Sequence, residues 1–144
     1  MNDTKSILLL LSIQRRVASL SITTHNGSAR ANITVTPIAP ALFLTGDGSE
    51  VVATHEAGTL VTVKAPAQAM EFIKLFATGL GSIEGDVLKG ALPATPVRAR
   101  ARVQVMIGDV LSEATGMLSS QTVGLYEVRV QVPRGLKTGL NSVR

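Results

Sequence analysis

Between residues 97 and 132 two stretches of the chain alternate, position by position, between aliphatic and polar side chains. In 97–107 the odd positions are Val97, Ala99, Ala101, Val103, Val105 and Ile107, set against Arg98, Arg100, Arg102 and Gln104. In 125–132, Tyr126, Val128, Val130 and Val132 alternate with Glu127, Arg129 and Gln131. Successive side chains of a strand point to opposite faces, so this period of two gathers one apolar and one polar row; a helix would scatter the same residues around its axis. One face then lies on a core and the other in water, the pattern of an antiparallel sheet.

The rest of the chain is written in the same style from about Leu20. Residues 20–24 and 31–36 flank His25-Asn26-Gly27-Ser28, and Asn-Gly between alternating runs is a strong hairpin signal. Pro37 and Pro40 end that pair, because proline donates no ladder hydrogen bond. Residues 51–54 and 59–63 flank Glu56-Ala57-Gly58 as a second hairpin. Residues 72–78 read as a largely buried strand, ended by glycines 79, 81 and 85, and 86–96 reads as a loop with Pro93 and Pro96. Short strands separated by regular turn signals predict an all-β fold, an antiparallel sandwich or barrel.

A chain of 144 residues suits one domain with a sizeable core and needs no disulfide or metal to hold it. It contains no cysteine, which excludes a disulfide framework, a thiol nucleophile and a thiolate zinc site. The residues are 45% hydrophobic, with only three Phe and one Tyr as aromatics, so the core must be built of aliphatics. No apolar run reaches the roughly 20 residues of a membrane helix. The run Ile7–Ile13 has the look of a short signal-peptide core, but Arg15 and Arg16 stand where small residues of a cleavage site belong. Read as a helix or a strand, residues 5–16 are equally compatible with either.

No catalytic constellation emerges. His25 and His55 fall in or beside turns without metal-ligand spacing, and are expected at the surface. Ser82 follows Gly81 without a nucleophile elbow. Gly79, Gly81 and Gly85 approximate a dinucleotide loop, but the last interval is one residue too long and no helix follows to meet a phosphate. The predicted protein is therefore not an enzyme and uses no cofactor or metal.

The net charge of +4 leaves one surface feature to weigh. Arg98, Arg100 and Arg102 would stand about 7 Å apart along one strand face, with Arg129 beside them if the two alternating strands pair. Such a row fits a polyanion, acidic polysaccharide or nucleic acid. The scarcity of stacking aromatics disfavours nucleic acid, Glu127 is placed to neutralise part of the row, and charges on exposed strands also serve to prevent aggregation.

Four stretches carry a family likeness: PALFLTGDGSEVVATHEAGTLV at 40–61, KLFATGLGSIEG at 74–85, VRARARVQVMIGDV at 97–110 and GLYEVRVQVPRGLKTG at 124–139. From about Ser19 to Leu140 the chain resembles the immunoglobulin-like C-terminal domain shared by a paralogous set of acidobacterial secreted proteins, the Solibacter C-terminal family. Asp109, where the pattern repeats glycine, and the missing glycine after Pro40 depart from it. The resemblance implies an immunoglobulin-like β-sandwich of a secreted or cell-surface protein, with no enzymatic activity and no known ligand. In that pattern the aromatic at 126 opens a strand, Pro133 to Gly139 turn the chain, and two more strands follow. Here ASLSITTHNGSARANITVTP, at 18–37, looks like that closing pair placed ahead of the domain.

The expected organisation is thus an N-terminal segment at 1–17, a closing-type hairpin at 18–37 and a sandwich at 38–144. The sandwich would have an open edge beside 125–132, filled by the hairpin of the same or a neighbouring chain. The expected partners are neighbouring immunoglobulin-like domains or further copies.

Overall fold

In the computed structural model, residues 16–85, 87 and 91–144 are described. The apolar run at 7–13 and most of the N-terminal segment lie outside them. The described residues form nine strands and no helix. By compactness the chain divides after Ile38.

The first unit holds a hairpin of β1 (Arg16–Thr24) and β2 (Gly27–Val35). Nine residues pair with nine, from Arg16 opposite Val35 to Thr24 opposite Gly27. The turn is His25-Asn26, one position earlier than an Asn-Gly turn, and Gly27 opens β2 at φ 148°. Thr24 helps close it: its hydroxyl donates to the Gly27 carbonyl at 3.3 Å and accepts from the Asn26 amide at 3.3 Å. β1 also starts four residues before the alternation at 20–24 suggests.

The second unit, Ala39–Arg144, is an antiparallel β-sandwich. Its strands are β3 (Ala41–Leu42), β4 (Ala53–His55), β5 (Phe72–Thr78), β6 (Val97–Arg98), β7 (Val103–Ile107), β8 (Val110–Leu118) and β9 (Tyr126–Gln131). The hydrogen-bonded path runs β3-β5-β9-β8-β6, with β4 also on β5 and β7 also on β8. The core takes Ile73, Leu75 and Ala77 from β5, Val105 and Ile107 from β7, and Tyr126, Val128 and Val130 from β9. Leu75, Val128 and Val130 are at most 2% exposed. The alternation at 97–132 therefore has its apolar row inside, as the pattern requires. Strand β5 alternates too, with Lys74 and Phe76 less buried than their neighbours, and is not buried on both faces.

Strand β8 has no counterpart in the sequence reading. Its Gly116 explains both its place and its obscurity. A Cβ there would lie 2.7 Å from Leu80 Cδ1 and 3.2 Å from Val103 Cγ2, so only glycine lets the neighbouring side chains pack this closely. Conversely, the strand expected at 59–63 is reduced to one bridge, Thr54 to Leu60, beside the β4 edge.

The glycine trio serves the turn out of β5. Gly79, Gly81 and Gly85 have φ of 74°, 87° and 75°, the left-handed region that glycine enters without a steric penalty. The Gly81 carbonyl accepts a 2.8 Å hydrogen bond from the Tyr126 hydroxyl, which ties the first residue of β9 to this turn.

Candidate functional site

The four arginines do not form the even row that the sequence suggests. Ala99 donates to the Gly116 carbonyl and Val103 pairs with Ala114, so Arg100, Ala101 and Arg102 face Thr115 alone. This bulge separates β6 from β7 and turns its arginines to local partners. Arg100 Nε donates to the Ile83 carbonyl at 2.6 Å. Arg102 grips Glu113 through two hydrogen bonds, of 3.0 and 2.6 Å, and Gln104 adds a third at 2.8 Å. These bonds hold the Glu113 carboxyl below its ordinary range and push the Arg102 guanidinium up. Arg98 is exposed and makes no side-chain hydrogen bond among the described residues.

Arg129 lies elsewhere. Strand β8 separates β7 from β9, so Thr115 is its cross-strand neighbour. Its guanidinium makes a two-bond pair with Glu56, at 2.7 and 2.8 Å, and stacks 3.7 Å from the Phe72 ring centroid. Glu127 pairs with Lys74 at 3.7 Å, not with the arginine row. Two of the four candidate cations are thus matched by carboxylates, which leaves a mixed-charge face.

His55 is not the surface histidine that its turn-like context suggests. Its side chain is 18% exposed, on the core side at the end of β4. Nδ1 lies 2.5 Å from Glu71 Oε1 and Nε2 lies 3.1 Å from the Ala65 carbonyl. The ionised Glu71 carboxylate and the Ala65 carbonyl both accept, so the site favours the doubly protonated ring. Its pKa is accordingly raised, first by the bond to Glu71. Glu71 is lowered by the Gln68 amide, which donates to Oε2 at 2.8 Å, and by His55. The arrangement clasps the loop 62–71 to β4. His25 sits exposed at the hairpin tip.

Among the described residues no three His, Cys, Asp or Glu side chains cluster as metal ligands would. A shallow depression of about 300 Å³ is lined by Val87, Leu92, Pro93 and Val97 among others, and a second lies at the hairpin turn. Among the described residues neither is lined by a histidine or a carboxylate. No helix among the described residues is long and apolar enough to cross a membrane.

The sheet edges are the remaining candidate sites. Strand β9 has no open edge: β5 pairs with one side and β8 with the other. This corrects the expectation of a gap beside 125–132, because β8 already occupies it. The sandwich's outer strands are covered or short. Ser82 and Glu84 bond to β6 and its following residues, and 142–144 bond to Met106 and Gly108 along β7. Thr59 and Val61 bond to β4. Strand β3 has only two residues.

Among the described residues the hairpin has none of these covers. It is a two-stranded sheet in which each strand is nine residues long. Its register places Ala18, Leu20, Ile22, Ala29, Ala31 and Ile33 on one face and Ser19, Ser21, Thr23, Ser28, Arg30 and Asn32 on the other. The Ser28 hydroxyl donates to Thr23 Oγ1 at 3.0 Å across the polar face. Ile22 is 49% exposed on the apolar one.

No family model, no curated protein and no solved structure matches the chain.

Proposed function

We propose that the chain is a non-catalytic, immunoglobulin-like module of a secreted or cell-surface protein, held in place by strand pairing with neighbouring domains or copies. The observation that carries this reading is the contrast in edges. Nearly every outer strand of the sandwich is short or covered, whereas β1 and β2 are long and regular, with no strand on their outer sides among the described residues. Natural proteins protect such edges unless they use them. An isolated hairpin is marginally stable in water, so a paired state is favoured. The likeness at 40–61, 74–85, 97–110 and 124–139 to a secreted, non-enzymatic domain supports the same reading.

The test is the solution mass by light scattering or sedimentation at a series of concentrations. Mass above that of one chain, rising with concentration, is expected. A single-chain mass at every concentration removes association between copies.

A further inference from the structure

Among the described residues no strand pairs with the outer side of β1. The two-residue turn closes on the pair Thr24–Gly27, which in such hairpins exchanges hydrogen bonds. Alternation then makes Ile22–Ala29, Leu20–Ala31 and Ala18–Ile33 the bonded pairs. The amide and carbonyl groups of Val17, Ser19, Ser21 and Thr23 are left along the outer edge of β1.

From Val17 to Thr24 the strand carries no charge, no proline and no glycine, whereas β2 carries Arg30. Lysine or arginine on an edge strand is a usual protection against pairing. Strand β1 has none along that stretch.

We propose that β1 is a homotypic pairing edge, at which a second copy of the chain adds its own β1 antiparallel about a two-fold axis through Leu20. This rests on the association proposed above and names its partner and register. In that register Leu20 meets Leu20 of the second copy, Ala18 meets its Ile22, and Ser19 meets its Ser21. Val17 meets Thr23. The four outward-facing residues of each strand are the ones brought into bonded pairs, so the hydrogen-bond phase matches as well as the side chains. A small residue opposes a large one at Ala18 and Ile22, and hydroxyls oppose hydroxyls on the polar face. The result is a four-stranded sheet with a continuous apolar face, past the three strands at which such a sheet gains independent stability. A two-fold axis also uses up both copies' β1 edges and so stops at a dimer, as an isologous contact does.

The absence of cysteine makes the register directly readable. Under mild oxidation a Leu20→Cys chain should convert to covalent dimer, because facing positions of a non-bonded antiparallel pair lie about 4.5 Å apart at Cα, within disulfide reach. Ala31→Cys, on the same face but on β2, should remain uncrosslinked. Ser19→Cys and Ser21→Cys chains should crosslink when mixed and far less when separate. The double substitution Ser19→Lys with Ser21→Lys should return the mass to one chain, while the circular dichroism of the sandwich is unchanged.

If the mass exceeds one chain but Ala31→Cys crosslinks as readily as Leu20→Cys, or neither does, the β1 register is overturned and association by another surface stands. If the unsubstituted chain has the mass of one chain at every concentration, both fall together.

Discussion

The hairpin and the sandwich are built from the same kinds of residue and solve opposite problems. In the sandwich, β5 and β9 pair with neighbours on both sides and bury their aliphatic row, so backbone and side chains are satisfied together. In the hairpin, the same alternation produces an aliphatic face, yet Ile22 and Ile33 stay 49% and 39% exposed and one edge of each strand is unpaired among the described residues. A period of two defines faces but says nothing about what covers them. Cover comes from the length and chemistry of what flanks a strand: the sandwich uses 59–61, 82–84 and 142–144, and β1–β2 has no such flank among the described residues of its unit.

That contrast is sharpest in core truncations. Leu75→Ala should cost the sandwich about 2–5 kcal/mol in urea unfolding, since it leaves a cavity among Ile73, Val128 and Val130. Leu20→Ala should leave the same transition within about 0.5 kcal/mol, while abolishing or weakening association. Equal losses from the two would mean that the hairpin shares the sandwich's core.

Next in size is Gly79→Ala. With φ at 74° and a Cβ placed 2.0 Å from the Ala39 carbonyl oxygen, the backbone must move. A loss of roughly 1–3 kcal/mol in the same assay is expected. Gly124→Ala, at the same φ but in open space, should lose less. A Gly79→Ala chain as stable as its parent would show that the approach of residue 39 to this turn is not fixed.

The His55 clasp gives a pH signature confined to the sandwich. Because the folded histidine pKa is raised above 6.5, its stabilisation is complete below that pH and is lost as pH rises through the folded value. Glu71 is lowered below 4.5, so its share is complete above that pH and is lost as pH falls toward its folded value. Between about pH 4.5 and 6.5 the clasp is at full strength. Denaturant midpoints measured across pH should therefore fall on the alkaline side, and His55→Gln should flatten that slope. A slope unchanged by the substitution would locate it elsewhere.

The smallest expected effect concerns the arginines. With Arg102 and Arg129 already paired to Glu113 and Glu56, changing Arg98, Arg100 and Arg102 together to Ser should scarcely alter retention on heparin resin. A marked loss of retention would restore the polyanion reading.

The parts legible in the sequence are those governed by neighbours in the chain. The alternations of 97–107 and 125–132 identify an all-β antiparallel protein and its buried row, because sheet faces follow directly from sequence position. The hairpin follows from two alternating runs and a short polar turn. Strand β8 was hidden by Glu113 and Gly116, residues that strands disfavour, although Gly108-Asp109 between Ile107 and Val110 is a two-residue hairpin signal that would have revealed it. Without β8, the sequence pattern places Arg129 beside the arginine row and an open edge beside β9. The pairs Arg129–Glu56 and His55–Glu71 span 73 and 16 residues, and no local pattern specifies such partners.

The bulge at 100–102 adds two residues relative to the partner strand, and the evenness of that number matters. Ala99, Val103, Val105 and Ile107 all keep their side chains inward across it because the offset is a whole repeat of the strand. Gaining or losing a pair of residues at this point is silent for the interior, whereas a single-residue insertion or deletion inverts every position from there to the next turn. The segment between β6 and β7 is thus a place where the chain length can change only by even steps, which makes its parity a trait to look for in any longer or shorter version of this domain.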